Sequence, residues 1–338
     1  MNRREMFVGG PYFDELEPGA TFDSAPAVTL TSGLAASHRA ILGDRLRLAL
    51  DAYTGEAVIG SAAPLAPPGL VWDIAIGQST LATHHVKANL FYRGLRFHRF
   101  PVLGDTVHTR TEVVGLRENS AKPGRAPTGL AALRITSTDQ HGRIILDFHR
   151  CAMLPLSPAA AEDRVRRADD LSAIGGDAGG TGNSDTRSID GWNLDAYRAL
   201  VPGPHFTPDL VGTLFRSSGD VVSSAPELAR LTLNIAAVHH DERVGEAGRL
   251  VYGGHTIGLA FGQATRALPA LVTVLGWQSC DHTGPVREGD TLTSELRVED
   301  AEPFGAGTAV RLRSIVHAHN GADSARPVLD WRFTGLMA

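Results

Sequence analysis

The feature that most limits how this chain can fold is that it repeats itself once. Leu16-Glu-Pro-Gly-Ala-Thr-Phe22 returns as Leu200-Val-Pro-Gly-Pro-His-Phe206, and Gly104-Asp105-Thr106 returns as Gly289-Asp290-Thr291. Arg143-Ile-Ile-Leu-Asp-Phe148 returns as Arg326-Pro-Val-Leu-Asp-Trp331. The three matches keep one order and nearly one offset, 183 to 185 positions. One such match is noise; three in register make the chain a tandem duplication, which must build two copies of one unit. Divided between two copies, 338 residues give each an ordinary domain size.

Residues 1–157 form the first copy, 191–338 the second, and 158–190 a linker whose Gly/Ser/Asp tract has almost nothing to bury. The first copy reads as a polar extended start and a helix over Ser32–Leu42, with Ser32 as its cap. After Pro67-Pro68-Gly69 comes an apolar helix from Leu70 to about His85, then strands near 88–100, 105–118, 128–138 and 143–154. The second copy repeats this with a helix around 219–233, a Gly253-Gly254 break and an apolar helix over about 255–267. Its strands fall near 270–281, 290–300, 307–318 and 327–337. A helix with little polar face, followed by an antiparallel meander, asks for a sheet wrapped around that helix. This order resembles the hotdog fold, so the expectation is an α+β tandem double hotdog. Two antiparallel sheets would each wrap a long central helix, with their edges joined.

Charge and cysteine usage then exclude several classes. Lys plus Arg number 32 against 37 Asp plus Glu, a net charge of −5, which leaves no basic footprint for nucleic acid or anionic membranes. The longest apolar stretch, Thr256–Trp277, is broken by Gln263, Arg266 and Pro269, so no membrane span is expected. The N-terminus has no apolar core of a signal peptide, and Cys151 and Cys280 cannot form a disulfide framework. Both facts point to a reducing cytosol.

The chemistry-bearing residues cluster in the second copy. In Leu231-Thr-Leu-Asn234-Ile-Ala-Ala-Val-His239-His240-Asp241 an Asn precedes a His by five positions. Arg249-Leu-Val-Tyr252-Gly253-Gly254-His255 then leads into the apolar helix. This pattern resembles the MaoC-like (R)-specific enoyl-CoA hydratase/dehydratase family. There an Asp, an Asn two residues on and a His five residues on are followed by His-Gly at the start of the central helix. Asn234 stands at the Asp position, His239 at the His position, Ala236 at the Asn position, and Tyr252-Gly253 replaces His-Gly. Within the family the chain resembles the mesaconyl-CoA (2-methylfumaryl-CoA) hydratase branch. Asn89-Leu-Phe-Tyr-Arg-Gly-Leu-Arg-Phe97 and Val114-Gly-Leu-Arg-Glu-Asn119 extend that resemblance into the first copy.

Water addition to a thioester-activated double bond needs a base effective near neutrality, which histidine supplies. On this reading His239 is the base, Asn234 holds the water, and the N–H of Gly253 at a helix start receives the developing enolate. Tyr252, Gly254, His255, Gly69, Trp72 and Arg96 are expected to line the substrate site. Lys87, Arg93 and Arg96 are candidates for the CoA phosphates. A substrate with its own carboxylate would need a buried Arg, which the sequence does not single out. His239-His240-Asp241 is not a metal site, since consecutive side chains diverge.

The first copy has Asp44 but Ala49 where the His should stand, so it is expected to supply walls rather than chemistry, with Asp44 a solvated charge at a helix end. The resemblance implies a hydro-lyase acting reversibly on an enoyl-CoA, most specifically mesaconyl-CoA/β-methylmalyl-CoA. It implies no cofactor beyond the CoA of the substrate, and pairing of chains into homodimers or larger assemblies. The alternatives are a MaoC-like dehydratase of another 3-hydroxyacyl thioester and a non-catalytic acyl-CoA-binding hotdog protein.

Overall fold

The computed structural model describes residues 8–121, 123–161, 164–176, 186–244, 248–321 and 325–338. The first half runs through β1 (Thr21–Phe22), β2 (Val28–Thr29), α1 (Ser32–Leu42), α2 (Arg47–Leu50), α3 (Ala52–Ile59) and α4 (Pro68–Gln78). It then forms β3 (Ala88–Phe97), β4 (Thr106–Glu118), β5 (Thr128–Thr138) and β6 (Ile144–Pro155). The second half contains α5 (Leu194–Leu200), β7 (Leu214–Arg216), β8 (Asp220–Val221), α6 (Ala225–Leu231) and α7 (Gly253–Ala267). It closes with β9 (Leu271–His282), β10 (Thr291–Phe304), β11 (Gly307–His319) and β12 (Arg326–Met337).

The two meanders form one continuous antiparallel sheet rather than two, in the order β1-β4-β5-β6-β3-β9-β12-β11-β10-β7. Strands β3 and β9 close the seam, with Tyr92 opposite Cys280 and Leu95 opposite Trp277. Joining there removes two exposed sheet edges. Every residue of α4 is buried, as is Gly254–Thr265 of α7, so both helices lie in the interior as their all-round apolar faces require. Trp72 of α4 packs edge-on against Trp277 and Trp331, with ring centroids 5.0 and 6.3 Å away, so the halves share one core. The fold is an α+β double hotdog.

The repeated Gly-Asp-Thr has a structural meaning. Asp105 Oδ2 accepts from the Val102 N–H, and Asp290 Oδ2 accepts from the Arg287 N–H, so both copies cap the same turn. The matching Gln78 and Gln263 each donate to a strand carbonyl, those of Val107 and Leu292.

Other expectations change as well: the helix expected around 219–233 is confined to Ala225–Leu231, after strand β8 over Asp220–Val221. The cap of α1 is Thr31, whose Oγ1 accepts from the Leu34 N–H at 3.2 Å, not Ser32. Helix α4 ends at Gln78 rather than near His85, because the Ser79 and Thr80 hydroxyls donate to the carbonyls of Ile76 and Gly77 at 2.6 and 2.5 Å. The chain continues as a 3-10 turn over Ser79–Thr83. The linker is not a free tether where it is described. Leu171 is buried against Leu130, Ala132 and Cys151 on the sheet's outer face, and Asp169 accepts from the Leu116 N–H at 2.8 Å. Residues 162–163 and 177–185 of the proposed tether lie outside the described residues.

Candidate active site

The Asn234 loop is delivered by the end of α6. Leu233 N–H donates to the Arg230 carbonyl at 3.1 Å and Asn234 N–H to the Ala229 carbonyl at 2.8 Å, the paired bonds of a Schellman cap. The left-handed residue of that cap is Leu233, at φ 59°, where glycine is usual; a side chain there costs roughly 1–2 kcal/mol. Asn234 Oδ1 then accepts from the Ala236 N–H at 3.0 Å, leaving the carboxamide's N–H donors for other partners.

The loop rests on the first half. Thr80 Oγ1 accepts from the Ile235 N–H at 3.0 Å, and the His84 carbonyl accepts from the Ala237 N–H at 2.9 Å. Gly77 permits this approach, since a Cβ there would lie 1.8 Å from the Thr232 carbonyl oxygen.

His239 donates from Nδ1 to the Leu250 carbonyl at 3.0 Å, which leaves the Nε2 lone pair available. Burial pulls its imidazole down to about 4, with the His240 and Arg150 charges adding to the effect, so it is neutral at physiological pH. His240 donates to the Asn234 carbonyl at 2.6 Å and Asp241 pairs with Arg243, so the His-His-Asp run diverges.

His239 lines a cavity of about 270 Å³ between the halves. The second half contributes Asn234, Val238, Tyr252, Gly253 and His282, and the first half Ile76, Thr80, Lys87, Tyr92 and Arg150. Gly253 opens α7, and first-turn N–H groups have no acceptor within their helix. A Cβ at Gly253 would stand 2.7 Å from His282 Nε2, so the absence of a side chain keeps this corner open. Tyr252 is held from behind: its hydroxyl donates to Asp73 Oδ1 at 3.1 Å, and His38 Nε2 meets Asp73 Oδ2 at 2.9 Å. Burial raises the Asp73 carboxyl, a shift opposed by its bonds to His38 and Tyr252.

Of the sequence candidates, His239, Asn234, Gly253 and Tyr252 meet at this cavity, and exposed Lys87 lines it. Five do not. Gly254 is packed under Tyr252 and Asp73, where a Cβ would lie 2.2 Å from Asp73 Oδ1. His255 is fully buried in the core, both ring nitrogens without a partner. Gly69 packs against His38 and Trp72, and Trp72 belongs to the aromatic core. Arg96 alternates with the inward Leu95 and Phe97 and so lies on the outer face of β3. Of the other phosphate candidates, Arg93 is engaged with Asp281 at 2.6 Å. Asp44 is not a solvated charge: it is buried, it accepts from the Leu46 N–H at 2.8 Å, and burial raises its carboxyl.

Three titratable residues of the cavity were not singled out as site residues from the sequence: Tyr92, Arg150 and His282. Each sits at an inward strand position, where alternation alone says only "buried". Burial pulls His282 down to about 4, and its Nε2 has no hydrogen-bond partner.

No protein-family model matches the chain. It is 28% identical to the beta-methylmalyl-CoA dehydratase of Chloroflexus aurantiacus over 97% of both chains. It is also 28% identical to the mesaconyl-CoA hydratase of Cereibacter sphaeroides, over 92% of this chain and 90% of that one. Among solved structures, a conserved double-hotdog protein of Mycobacterium tuberculosis matches at 59% identity with a TM-score of 0.93, covering 98% of this chain and all 100% of that one. A MaoC domain dehydratase of Chloroflexus aurantiacus shares the fold at TM-score 0.80 and 24% identity, over 97% of both chains.

Fold and site together define a duplicated hotdog protein in which polar residues of both halves line a cavity around His239. The chain resembles the MaoC-like hydratases and dehydratases: its two curated relatives at 28% identity are named as a dehydratase and a hydratase of CoA thioesters. Among the described residues, no helix is long and apolar enough to cross a membrane.

Proposed function

We propose that the protein is a hydro-lyase that reversibly adds water to an enoyl-CoA thioester, with 2-methylfumaryl-CoA (mesaconyl-CoA) as substrate and β-methylmalyl-CoA as product. The observation that carries this is the convergence of a neutral His239, the Asn234 carboxamide and the N-terminus of α7 on one cavity. The names of the two relatives at 28% identity support the substrate.

In the hydration direction His239 Nε2 takes a proton from water as the water oxygen bonds to Cβ of the enoyl group. The π pair moves onto the thioester oxygen, where the Gly253 N–H meets the negative charge. The imidazolium returns its proton to Cα, so one water is added across the double bond and the enzyme is restored. A pKa near 4 makes resting His239 a weak base, but negative charge growing beside it raises its affinity for the proton. Asn234 orients the water through its amide N–H groups without taking a proton. Lys87 at the rim meets a CoA phosphate. The reaction needs no cofactor beyond the CoA carried by the substrate.

The test is the decay of enoyl-thioester absorbance on adding enzyme to mesaconyl-CoA. Turnover by the wild type that is lost in His239→Ala is the expected result; full activity of that variant removes His239 from the mechanism.

A further inference from the structure

Arg150 lies on β6 in the first half with only 3% of its surface exposed, yet it lines the cavity of the second half's chemistry. Burying a guanidinium is costly unless something answers its charge. Its NH2 nitrogen donates to the Ser79 carbonyl at 3.1 Å and to Thr83 Oγ1 at 2.6 Å, and both acceptors are neutral. Its Nε is buried without a partner, and no carboxylate lies within ion-pair distance among the described residues. Its charge is close enough to act on His239, Tyr92 and Tyr252, which puts it beside the proposed reacting centre rather than at the rim.

The duplication supplies the control. Arg150 stands opposite Tyr92 in the β3–β6 pairing; Phe333 stands opposite Trp277 at the same place in the β9–β12 pairing. The fold therefore accepts an aromatic residue at this register, and the cation is specific to the half-site with the cavity. A guanidinium answered only by neutral oxygens beside a cavity is suited to an anion that arrives with the ligand.

We infer that Arg150 binds a second carboxylate on the acyl group, at the end remote from the thioester, so that the site selects monothioesters of short dicarboxylic acids over plain acyl-CoA esters. The assignment rests on reading the cavity as an acyl-CoA site, and it names the group that selects the substrate.

The test uses binding, so that it stands apart from turnover. Succinyl-CoA and butyryl-CoA are unreactive toward hydration, carry the same phosphates and differ in the terminal carboxylate. Their Kd values are measured by calorimetry on wild type, Arg150→Met and Arg150→Lys, with folding of each variant checked by its thermal transition. In wild type, succinyl-CoA binds about 10- to 100-fold tighter, the range expected for a buried charge-assisted pair. That preference collapses to within about threefold in Arg150→Met and is partly kept in Arg150→Lys. A variant that weakens both ligands equally with the preference intact overturns the inference, as does a wild type with no preference. If the preference behaves as stated but no enoyl-CoA is hydrated, the hydratase reading fails and the carboxylate site stands.

Discussion

The two halves share a backbone plan and differ in what that plan presents to the space beneath the loop over residues 234–239 and beneath its counterpart, residues 44–49. Thr80 accepts from the Ile235 N–H, and Thr265 accepts from the Arg45 N–H at 3.1 Å. Asn234 closes a turn onto Ala236 as Asp44 does onto Leu46. Gly77 and Gly262 each admit a carbonyl of the opposite half's loop, those of Thr232 and Leu42. Against this common frame, His239 is matched by Ala49, and Gly253 by Pro68 at the first position of the central helix. Tyr92 is matched by Trp277, Arg150 by Phe333 and His282 by Phe97, which faces Leu146 as His282 faces Leu329. Proline has no N–H to offer an enolate, and the aromatic residues fill with carbon the positions that carry polar groups beside the cavity. On the proposed reading the duplicated unit divides into one site and one support: Trp277 and Phe333 join the shared core, while Tyr92 and Arg150 line the cavity.

The comparison is most easily broken at its base. His239→Ala should lower kcat by about 10²- to 10⁴-fold with little change in KM, because the lost interaction is needed mainly in the transition state. Ala49→His should create no second activity, since Pro68 and Phe333 leave that half without a donor or an open polar wall. Steady-state kinetics on both variants checks this.

Acidification sharpens the contrast next. Burial holds His239, His255 and His282, all in the second half, down to about 4. An unfolded histidine titrates near 6.5, so between about pH 6.5 and 4 the unfolded chain binds more protons, and stability falls as pH falls through that window. Fully buried His255 alone is worth on the order of 3 kcal/mol between those limits. Thermal transitions measured across the window should fall steadily, and His255→Leu should flatten the slope; an unchanged slope would show that this burial is not what sets it. The acid limb of kcat/KM should lie near pH 4 rather than 6.5, since Arg150 and His240 also disfavour the protonated His239.

The two packing glycines should separate stability from activity. Gly77→Ala forces a Cβ onto the Thr232 carbonyl and Gly262→Ala forces one onto the Leu42 carbonyl, so each should cost about 1–3 kcal/mol. Gly77→Ala should also reduce kcat, because Thr232 leads into Asn234 and His239; Gly262→Ala should leave kcat unchanged. Unfolding curves run beside kinetics distinguish them. The smallest effect belongs to Asp44→Ala, with kcat within a few-fold of wild type and a modest loss of stability from the broken turn. A 100-fold loss of kcat in folded Asp44→Ala would assign the chemistry to the wrong half.

Much of this was legible before any coordinates. Alternation and turn residues located the long strands to within a few residues, because each strand keeps one face in the core. The pair Asn234 and His239, with Tyr252-Gly253, was legible because a loop and a helix start place close sequence neighbours around one point. Gly69, Trp72 and Arg96 misled for the opposite reason: proximity to a helix start or a strand does not say which face a side chain takes. Arg150, Tyr92 and His282 were hidden in strands, brought together by pairings across the seam and between halves. Their signal lay in the repeat itself, where polar residues in one copy align with Phe333, Trp277 and Phe97 in the other.

The claim that one cavity per chain is functional can be counted directly. Calorimetric titration of the intact protein with butyryl-CoA should give one binding site per chain. Two equivalent sites per chain would contradict the division into site and support.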